Sequence, residues 1–128
     1  MRKLSTLWIA AALAVVAAAV AAPAALAKDG DVRVRGTCTK ASSVKLKLSE
    51  EDGRIEVELE VDQNRSGVRW TVAFKQNGKP LARRTAVTRP PSGSFELRLL
   101  APNLPGRDVI AAKATSPAGE VCTVKAAF

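Results

Sequence analysis

A row of four carboxylates is the feature of this sequence that most directly suggests chemistry. Glu56, Glu58, Glu60 and Asp62 alternate with apolar residues in the segment RIEVELEVD. Alternate residues of a β-strand share one face, with Cα atoms about 6–7 Å apart, so these side chains would lie in a line. Such a line could supply calcium ligands or the paired acids of a glycosidase, or it could be the solvated side of a strand.

The turn before the row favours the solvated strand. Asp52-Gly53 has the composition of a two-residue hairpin turn, which fixes the register of the strands that it joins. In that register Lys47 lies opposite Glu58, and Lys45 lies opposite Glu60. Each cross-strand pair contributes roughly a few tenths of a kcal/mol. Catalysis by an acid pair stays open, and so does a weak cation site near Glu50, Glu51, Asp52 or Asp62.

The residue types that are missing exclude most catalytic sites. The chain contains no histidine and no tyrosine, which excludes histidine-based triads and the imidazole ligands of most catalytic zinc or copper centres. Ser42 and Lys45 fit a serine-x-x-lysine motif, but that motif works on a helix, and here it enters a predicted strand. We therefore expect a protein that is not an enzyme, with no cofactor and no metal.

The N-terminus has the features of an export signal. Arg2 and Lys3 precede an apolar stretch, and Ala25-Leu26-Ala27 is a small-x-small cleavage motif. Cleavage after Ala27 would leave residues 28–128 as one secreted domain, and its net charge would fall from +8 to +6 because Arg2 and Lys3 are lost. The alternative is that residues 1–27 stay attached as a membrane anchor.

The two cysteines, Cys38 and Cys122, both lie in the exported domain. In an oxidising compartment we expect them to form one disulfide, worth about 4–5 kcal/mol in the chain-entropy model. Free thiols or an intermolecular bridge are the alternative.

Period-two alternation runs through the whole domain and predicts eight strands. Asp52-Gly53 and Asn77-Gly78 predict tight hairpins, and 117–119 predicts the last turn. The proline-rich segments 90–93 and 102–106 predict crossings between two sheets. The expected architecture is an all-β, antiparallel sandwich. The predicted strands are 32–38, 44–48, 55–61, 68–74, 81–87, 95–99, 109–114 and 120–126.

The closing stretch GRDVIAAKATSPAGEVCTVKAAF resembles the last hairpin of bacterial immunoglobulin-like and fibronectin-like domains. The domain, with KLKLSEEDGRIEVELEVDQNRSGVRWTV, also resembles small secreted actinobacterial proteins, a group that brings no assigned function. The resemblance implies a single immunoglobulin-like sandwich of seven or eight strands. The chain differs from true immunoglobulin domains because it has no tyrosine for a tyrosine corner, and its cysteines lie near the two ends of the domain.

The arginines outside the predicted Lys–Glu pairs suggest a basic face that binds an anionic envelope polymer or a protein partner. Specific nucleic-acid binding is not expected, because the aromatic residues of the domain share the parity of the core and leave no stacking surface. The candidate binding residues are Arg33, Arg35, Arg69, Arg83, Arg84 and Arg89.

Arg83 stands out among these residues. The register of the Asn77-Gly78 turn places it opposite Val72, on the apolar side of its strand. An inward charge protects an exposed edge from pairing with another chain, so 81–88 is predicted to be an edge strand. The alternative is that Arg83 lines a ligand pocket.

We therefore expect a monomeric binding module. Two other functions stay open. One is a protease inhibitor that acts through the loop from Thr88 to Ser94, which presents Arg89. The other is a structural protein of the envelope.

Overall fold

The computed structural model describes residues 30–128, so the predicted signal and its cleavage point lie outside the described residues. No helix in the described part of the chain is long and apolar enough to cross a membrane. Nine β-strands form there: β1 Val32–Arg35, β2 Thr37–Cys38, β3 Ser43–Glu51, β4 Arg54–Asp62, β5 Arg69–Gln76, β6 Lys79–Val87, β7 Ser94–Pro102, β8 Val109–Thr115 and β9 Val121–Ala127.

The strands make two antiparallel sheets packed as a sandwich, which confirms the predicted fold class. The four-stranded sheet has the order β1-β3-β4-β7, and the five-stranded sheet has the order β2-β9-β8-β5-β6. The sheets meet along two sides, where β1 and β3 contact β9 and where β6 contacts β7. The connections at 90–93 and 103–108 cross between sheets, as the prolines predicted.

The β3–β4 hairpin has the register that its turn predicted. Asp52 and Gly53 both adopt positive φ, 48° and 78°, as this type of two-residue turn requires. Lys47 pairs with Glu58, and Lys45 pairs with Glu60. Local turn chemistry therefore determines which residues of these two strands face the core.

The first predicted strand divides into β1 and β2 at Gly36. β1 pairs with β3 in one sheet, and β2 pairs with β9 in the other. The chain can change sheets here because Gly36 has no side chain: an added Cβ would lie 2.1 Å from the Thr123 carbonyl oxygen. The division produces nine strands instead of eight.

The core consists of the inward residues of both sheets. Trp70 is fully buried, as its parity predicted, and its ring lies 6.2 Å from that of Phe95. The indole Nε1 donates a hydrogen bond to Gln63 Oε1 at 3.0 Å, so the one polar atom of this side chain has a partner. Leucine, valine and isoleucine residues from β3 and β4 fill the facing layer.

The predicted position of Arg83 is wrong. A β-bulge between Phe74 and Lys75 leaves Leu81 without a partner and shifts the register by one residue. Arg84 therefore pairs with Val72, and Arg83 pairs with Ala73 on the outer face. The predicted edge is confirmed, because β6 is the last strand of its sheet.

The Cys38–Cys122 disulfide is present, with a sequence separation of 84 residues. The two cysteines are direct partners on β2 and β9, so the bond joins neighbouring strands of one sheet. It thereby differs from the bond between sheets in immunoglobulin domains. A disulfide is consistent with an extracytoplasmic protein.

Candidate anion-binding face

The outer face of the four-stranded sheet carries charges of both signs in columns. Lys47 Nζ lies 3.1 Å from Glu58 Oε2, and Arg98 on the next strand lies 3.6 Å from the other oxygen of Glu58. Glu58, in the middle of the acidic row of β4, is therefore flanked by cations on both sides. These contacts agree with the predicted charged ladder at Glu58, whereas Glu60 lies opposite Lys45 without forming an ion pair among the described residues.

Glu56 has a more enclosed position than the rest of the row. Only 6% of it is exposed, and its carboxylate accepts a hydrogen bond from the Arg98 guanidinium. This bond lowers the pKa of Glu56. The neighbouring Glu51 has a raised pKa, because it shares a hydrogen bond with Glu56 and is repelled by its charge. The Glu56 carboxylate thus already has a cation as its partner.

The predicted alternative of a cation site near the β3–β4 turn gains no support from side-chain geometry. Glu50 Oε1 accepts a hydrogen bond from Gly53 N, and Asp62 Oδ1 accepts one from Asn64 N. Within residues 30–128, the one cluster of three potential metal-ligating side chains is Cys38, Glu120 and Cys122, and its two sulfurs are joined in the disulfide.

The outer face of the five-stranded sheet has a different composition. Every charged residue that the described strands place there is basic, and the positions between them hold threonine or alanine. No member of this set forms an ion pair with an acidic residue of the described chain. We call this surface the cationic face; its charged residues are Arg69, Lys75, Arg83, Lys113 and Lys125.

The register sets the cations of this face around alanines. Ala73 lies between Lys113 and Arg83 in one row. Ala111 lies between Lys75 and Lys125 in the next row. Strands are about 4.8 Å apart, so the two cations of each row have Cα atoms roughly 9–10 Å apart. Because alanine side chains are short, the surface between the long basic side chains is recessed.

Two shallow depressions result from this pattern. One is lined by Arg69, Thr71 and Arg83, and the other by Lys75, Ala111 and Lys125. Ala73 and Lys113 line both, so Lys113 forms the ridge between them. Threonine hydroxyls and ammonium or guanidinium groups are all hydrogen-bond donors, which suits this surface to anionic groups.

The structure divides the six arginines predicted to bind a partner. Arg69 and Arg83 lie on the cationic face. Arg33 and Arg35 lie on β1 of the other sheet, opposite Lys47 and Lys45. Arg84 is on the inward side of the edge strand but is exposed, with Nη1 donating to the Arg83 carbonyl, and Arg89 is exposed in the loop that follows. The binding role of these residues stays a prediction.

Three lysines of the cationic face were absent from the predicted set. Lys75, Lys113 and Lys125 each alternate with core residues, so parity places them outward. Their grouping depends on β5 lying beside β8, and β8 beside β9, which joins segments distant in sequence. A search for basic residues on the outward parity of strands without acidic neighbours would have found them.

No protein-family model matches the chain, and no curated protein is significantly similar to it. The surface itself therefore carries the functional argument.

Two buried carboxylates, Asp108 and Glu120, were also missed, and both have structural partners. Asp108 is fully buried and accepts hydrogen bonds from Gln76 Nε2 and Leu104 N. Glu120 accepts hydrogen bonds from the Ser42 hydroxyl and from the Lys40 backbone amide. The Ser42 hydroxyl is thus committed to Glu120, which removes the geometric basis of the serine-x-x-lysine motif.

The loop from Thr88 to Ser94 is closed by its own hydrogen bonds. Arg89 O accepts from Gly93 N at 2.8 Å, and Thr88 Oγ1 donates to the Arg65 carbonyl. Gly93 is buried against the Asn64–Arg65 backbone, where a Cβ would lie 2.2 Å from Arg65 N. This compact turn differs from the extended strand that an inhibitor adds to a protease.

Proposed function

We propose that this protein is a secreted, non-enzymatic binding module with an immunoglobulin-like sandwich, and that the cationic face holds an anionic polymer of the cell envelope. Export is supported by the signal features of residues 1–27 and by the disulfide. The observation that carries the proposal is a sheet face with five cations and no carboxylate.

The electrostatics of the face favour an anionic ligand. Like charges grouped on one surface repel each other, and the repulsion destabilises the folded domain unless counterions or a ligand offset it. On the opposite face the same chain places glutamates beside its lysines. Solubility alone would be served by mixed charges on both faces, so the segregation supports binding.

The shape of the face favours a polymer over a small molecule. Small-molecule sites bury most of the ligand in a concave pocket. The cations here point from a broad sheet with shallow depressions, and the two of each row are roughly 9–10 Å apart. A chain with repeated anionic groups can contact several of them at once, which raises its affinity through effective concentration.

The same face offers nothing for base stacking. Trp70, Phe74 and Phe95 are buried in the core, and Phe128 packs against it. Proteins that bind single-stranded nucleic acids stack successive bases on aromatic side chains. A polymer recognised by charge and hydroxyl donors fits the face better.

The proposal is tested by measuring how tightly long-chain polyphosphate binds to the purified domain. Fluorescence anisotropy at several salt concentrations gives the affinity. The variant K75Q/K113Q/K125Q should weaken binding at least tenfold, and should reduce the slope of log affinity against log salt by about 2. The control R54Q/R65Q/R107Q removes three exposed cations outside the face and should bind within about threefold of wild type. Equal losses in both variants would leave only non-specific charge attraction.

A further inference from the structure

Arg35 occupies the point at which the two outer faces meet. It is the last residue of β1, and the next residue, Gly36, takes the chain over to the five-stranded sheet. Because Gly36 has no side chain, its backbone approaches β9 closely, with the Cβ position 2.6 Å from Val124 Cβ.

The depression that Lys75, Ala111 and Lys125 line on the cationic face extends across this edge. Its lining includes Arg35, Gly36 and Thr37 from the first strands, together with Lys113 and Lys125 from the cationic face. Arg35 thus borders the cationic face although its strand belongs to the other sheet. Arg35 of β1 therefore shares one concave surface with Lys75, Lys113 and Lys125 of β5, β8 and β9.

A separate depression begins at Arg35 and runs over the outer face of the four-stranded sheet. Arg33, Lys45 and Lys47 line it together with Arg35, and the glutamates Glu58, Glu60 and Glu96 line its far side on β4 and β7. The register sets Arg35 directly opposite Lys45, and like charges in that position repel each other. Lys47 has Glu58 and Asp31 as ion-pair partners, whereas neither Arg35 nor Lys45 forms an ion pair within residues 30–128.

We propose that these cations form one track, along which a single flexible, linear polyanion passes from the cationic face over Gly36 to β1 and β3. The inference rests on the proposed function and specifies its ligand. The track is defined by Arg83, Lys113, Lys125, Arg35 and Lys45. It crosses three strand spacings on one sheet, the thickness of the sandwich edge and one spacing on the other sheet, about 30 Å in all.

The bend of the track selects the ligand. The polymer must turn around an edge that is about 10 Å thick, the usual spacing of packed sheets. Duplex DNA has a persistence length of about 150 base pairs and cannot follow such a turn. A flexible chain with closely spaced phosphate or carboxylate groups can do so, whereas a short anion reaches only one part of the track.

The test compares linear polyphosphates of two lengths on three variants. R35Q/K45Q removes the cations beyond the edge, K113Q/K125Q removes two from the cationic face, and R54Q/R107Q is the charge-matched control. Binding of tripolyphosphate and of a chain of about 50 phosphates is measured by calorimetry at several salt concentrations. R35Q/K45Q is expected to fold normally because it removes a repulsive pair of charges. Thermal unfolding of the variant checks that its fold is intact.

For the long chain, both R35Q/K45Q and K113Q/K125Q should weaken binding about fivefold to tenfold. Each should also lower the salt slope by about 1.4, from about 0.7 per lost contact. For tripolyphosphate, only K113Q/K125Q should matter. If R35Q/K45Q binds the long chain like wild type while K113Q/K125Q is weakened, the track is wrong and the proposed function stands.

Three further outcomes are also informative. If K113Q/K125Q binds both polyphosphates like the control, the proposed function fails together with the track. Single-stranded DNA of equal charge and long polyglutamate are measured in parallel. Tighter binding of the DNA than of polyphosphate would overturn the assigned ligand class, and equal binding of polyglutamate would show that charge spacing, not phosphate, is recognised.

Discussion

The Ser42 hydroxyl donates a 2.6 Å hydrogen bond to Glu120 Oε1, and this contact ties the β8–β9 turn to the segment that enters β3. The other carboxylate oxygen of Glu120 accepts hydrogen bonds from the backbone amides of Lys40 and Ser42, both at 3.1 Å. A buried acid with three donors is a structural clamp, because each donor would lose its partner if the acid were removed.

Glu120→Ala should therefore destabilise the domain by about 3 kcal/mol, since it leaves several enclosed donors without partners. Glu120→Gln keeps one acceptor oxygen and should cost less, about 1–2 kcal/mol. Urea denaturation measures both. Glu96→Ala, at an exposed position on β7, is the control and should stay within about 0.5 kcal/mol of wild type. A wild-type midpoint for Glu120→Ala would contradict the clamp.

Arg84 should protect the β6 edge from pairing with another chain. Arg84 lies on the inward side of β6, which is an exposed edge strand. Arg84→Val would therefore remove the charge and make this edge more apolar. We expect this variant to self-associate, as seen by sedimentation velocity. Arg83→Val makes the same change of charge on the outer face and should stay monomeric. Equal behaviour of the two variants would refute the assignment.

The Glu56–Arg98 contact predicts how stability depends on pH. The folded-state pKa of Glu56 is lowered from 4.5, so its contribution is present above that pH and is lost as the pH falls through the folded value. The raised pKa of Glu51 acts in the opposite direction, because its contribution is lost as the pH rises through its folded value.

Arg98→Gln should therefore lower the free energy of unfolding more at about pH 7 than at a strongly acid pH below the folded-state pKa of Glu56, where that carboxyl group is protonated. Denaturant titrations at the two pH values measure the difference, with Arg107→Gln as the control. A loss that is the same at both pH values would show that Arg98 acts by packing and not by charge.

The disulfide should be a major source of stability. C38S/C122S opens a covalent loop that spans most of the domain, and the expected loss is about 2–5 kcal/mol. Chemical denaturation with and without reductant gives the value. Thiol labelling of the native protein should find no reactive cysteine, and labelling without reduction would contradict the bond.

The loop at Arg89 should not inhibit trypsin-like proteases. Its Gly93 N to Arg89 O hydrogen bond closes a turn that cannot lie extended in a substrate cleft. We expect no loss of protease activity at micromolar concentrations of the domain, and the same result for Arg89→Ala. Nanomolar inhibition that Arg89→Ala abolishes would revive the inhibitor alternative.

Sequence-based prediction succeeded where local chemistry decides the geometry. Asp52-Gly53 determines a two-residue turn, and the register of both flanking strands follows from it. The Asn77-Gly78 turn forms as well, with φ of 51° and 79°, but its register holds only as far as Pro80. Pro80 cannot donate to the strand ladder, and prolines within sheets occur at edges and bulges. It was the signal for the shift that moved Arg83 outward.

The cationic face could not be predicted in the same way. Its pattern requires β5, β8 and β9 to be neighbours, and no turn joins β5 to β8. The alternation of residues along a strand shows on which face of the sheet each residue lies. Only the packing of distant segments shows which lysines are adjacent. The carboxylates Asp108 and Glu120 were missed for a similar reason, since their donors lie at least 31 and 78 residues away along the chain, apart from Leu104.

The bond between β2 and β9 has a mechanical consequence. It joins residues close to the two ends of the domain, so tension applied at those ends passes through a covalent link and bypasses β3 to β8. The 84-residue separation keeps about 290 Å of potential chain extension out of reach of the load. Under force, only the residues before Cys38 and after Cys122 can peel away, and Lys125 is among them, whereas Arg69, Lys75, Arg83 and Lys113 lie within the covalent loop and keep their places.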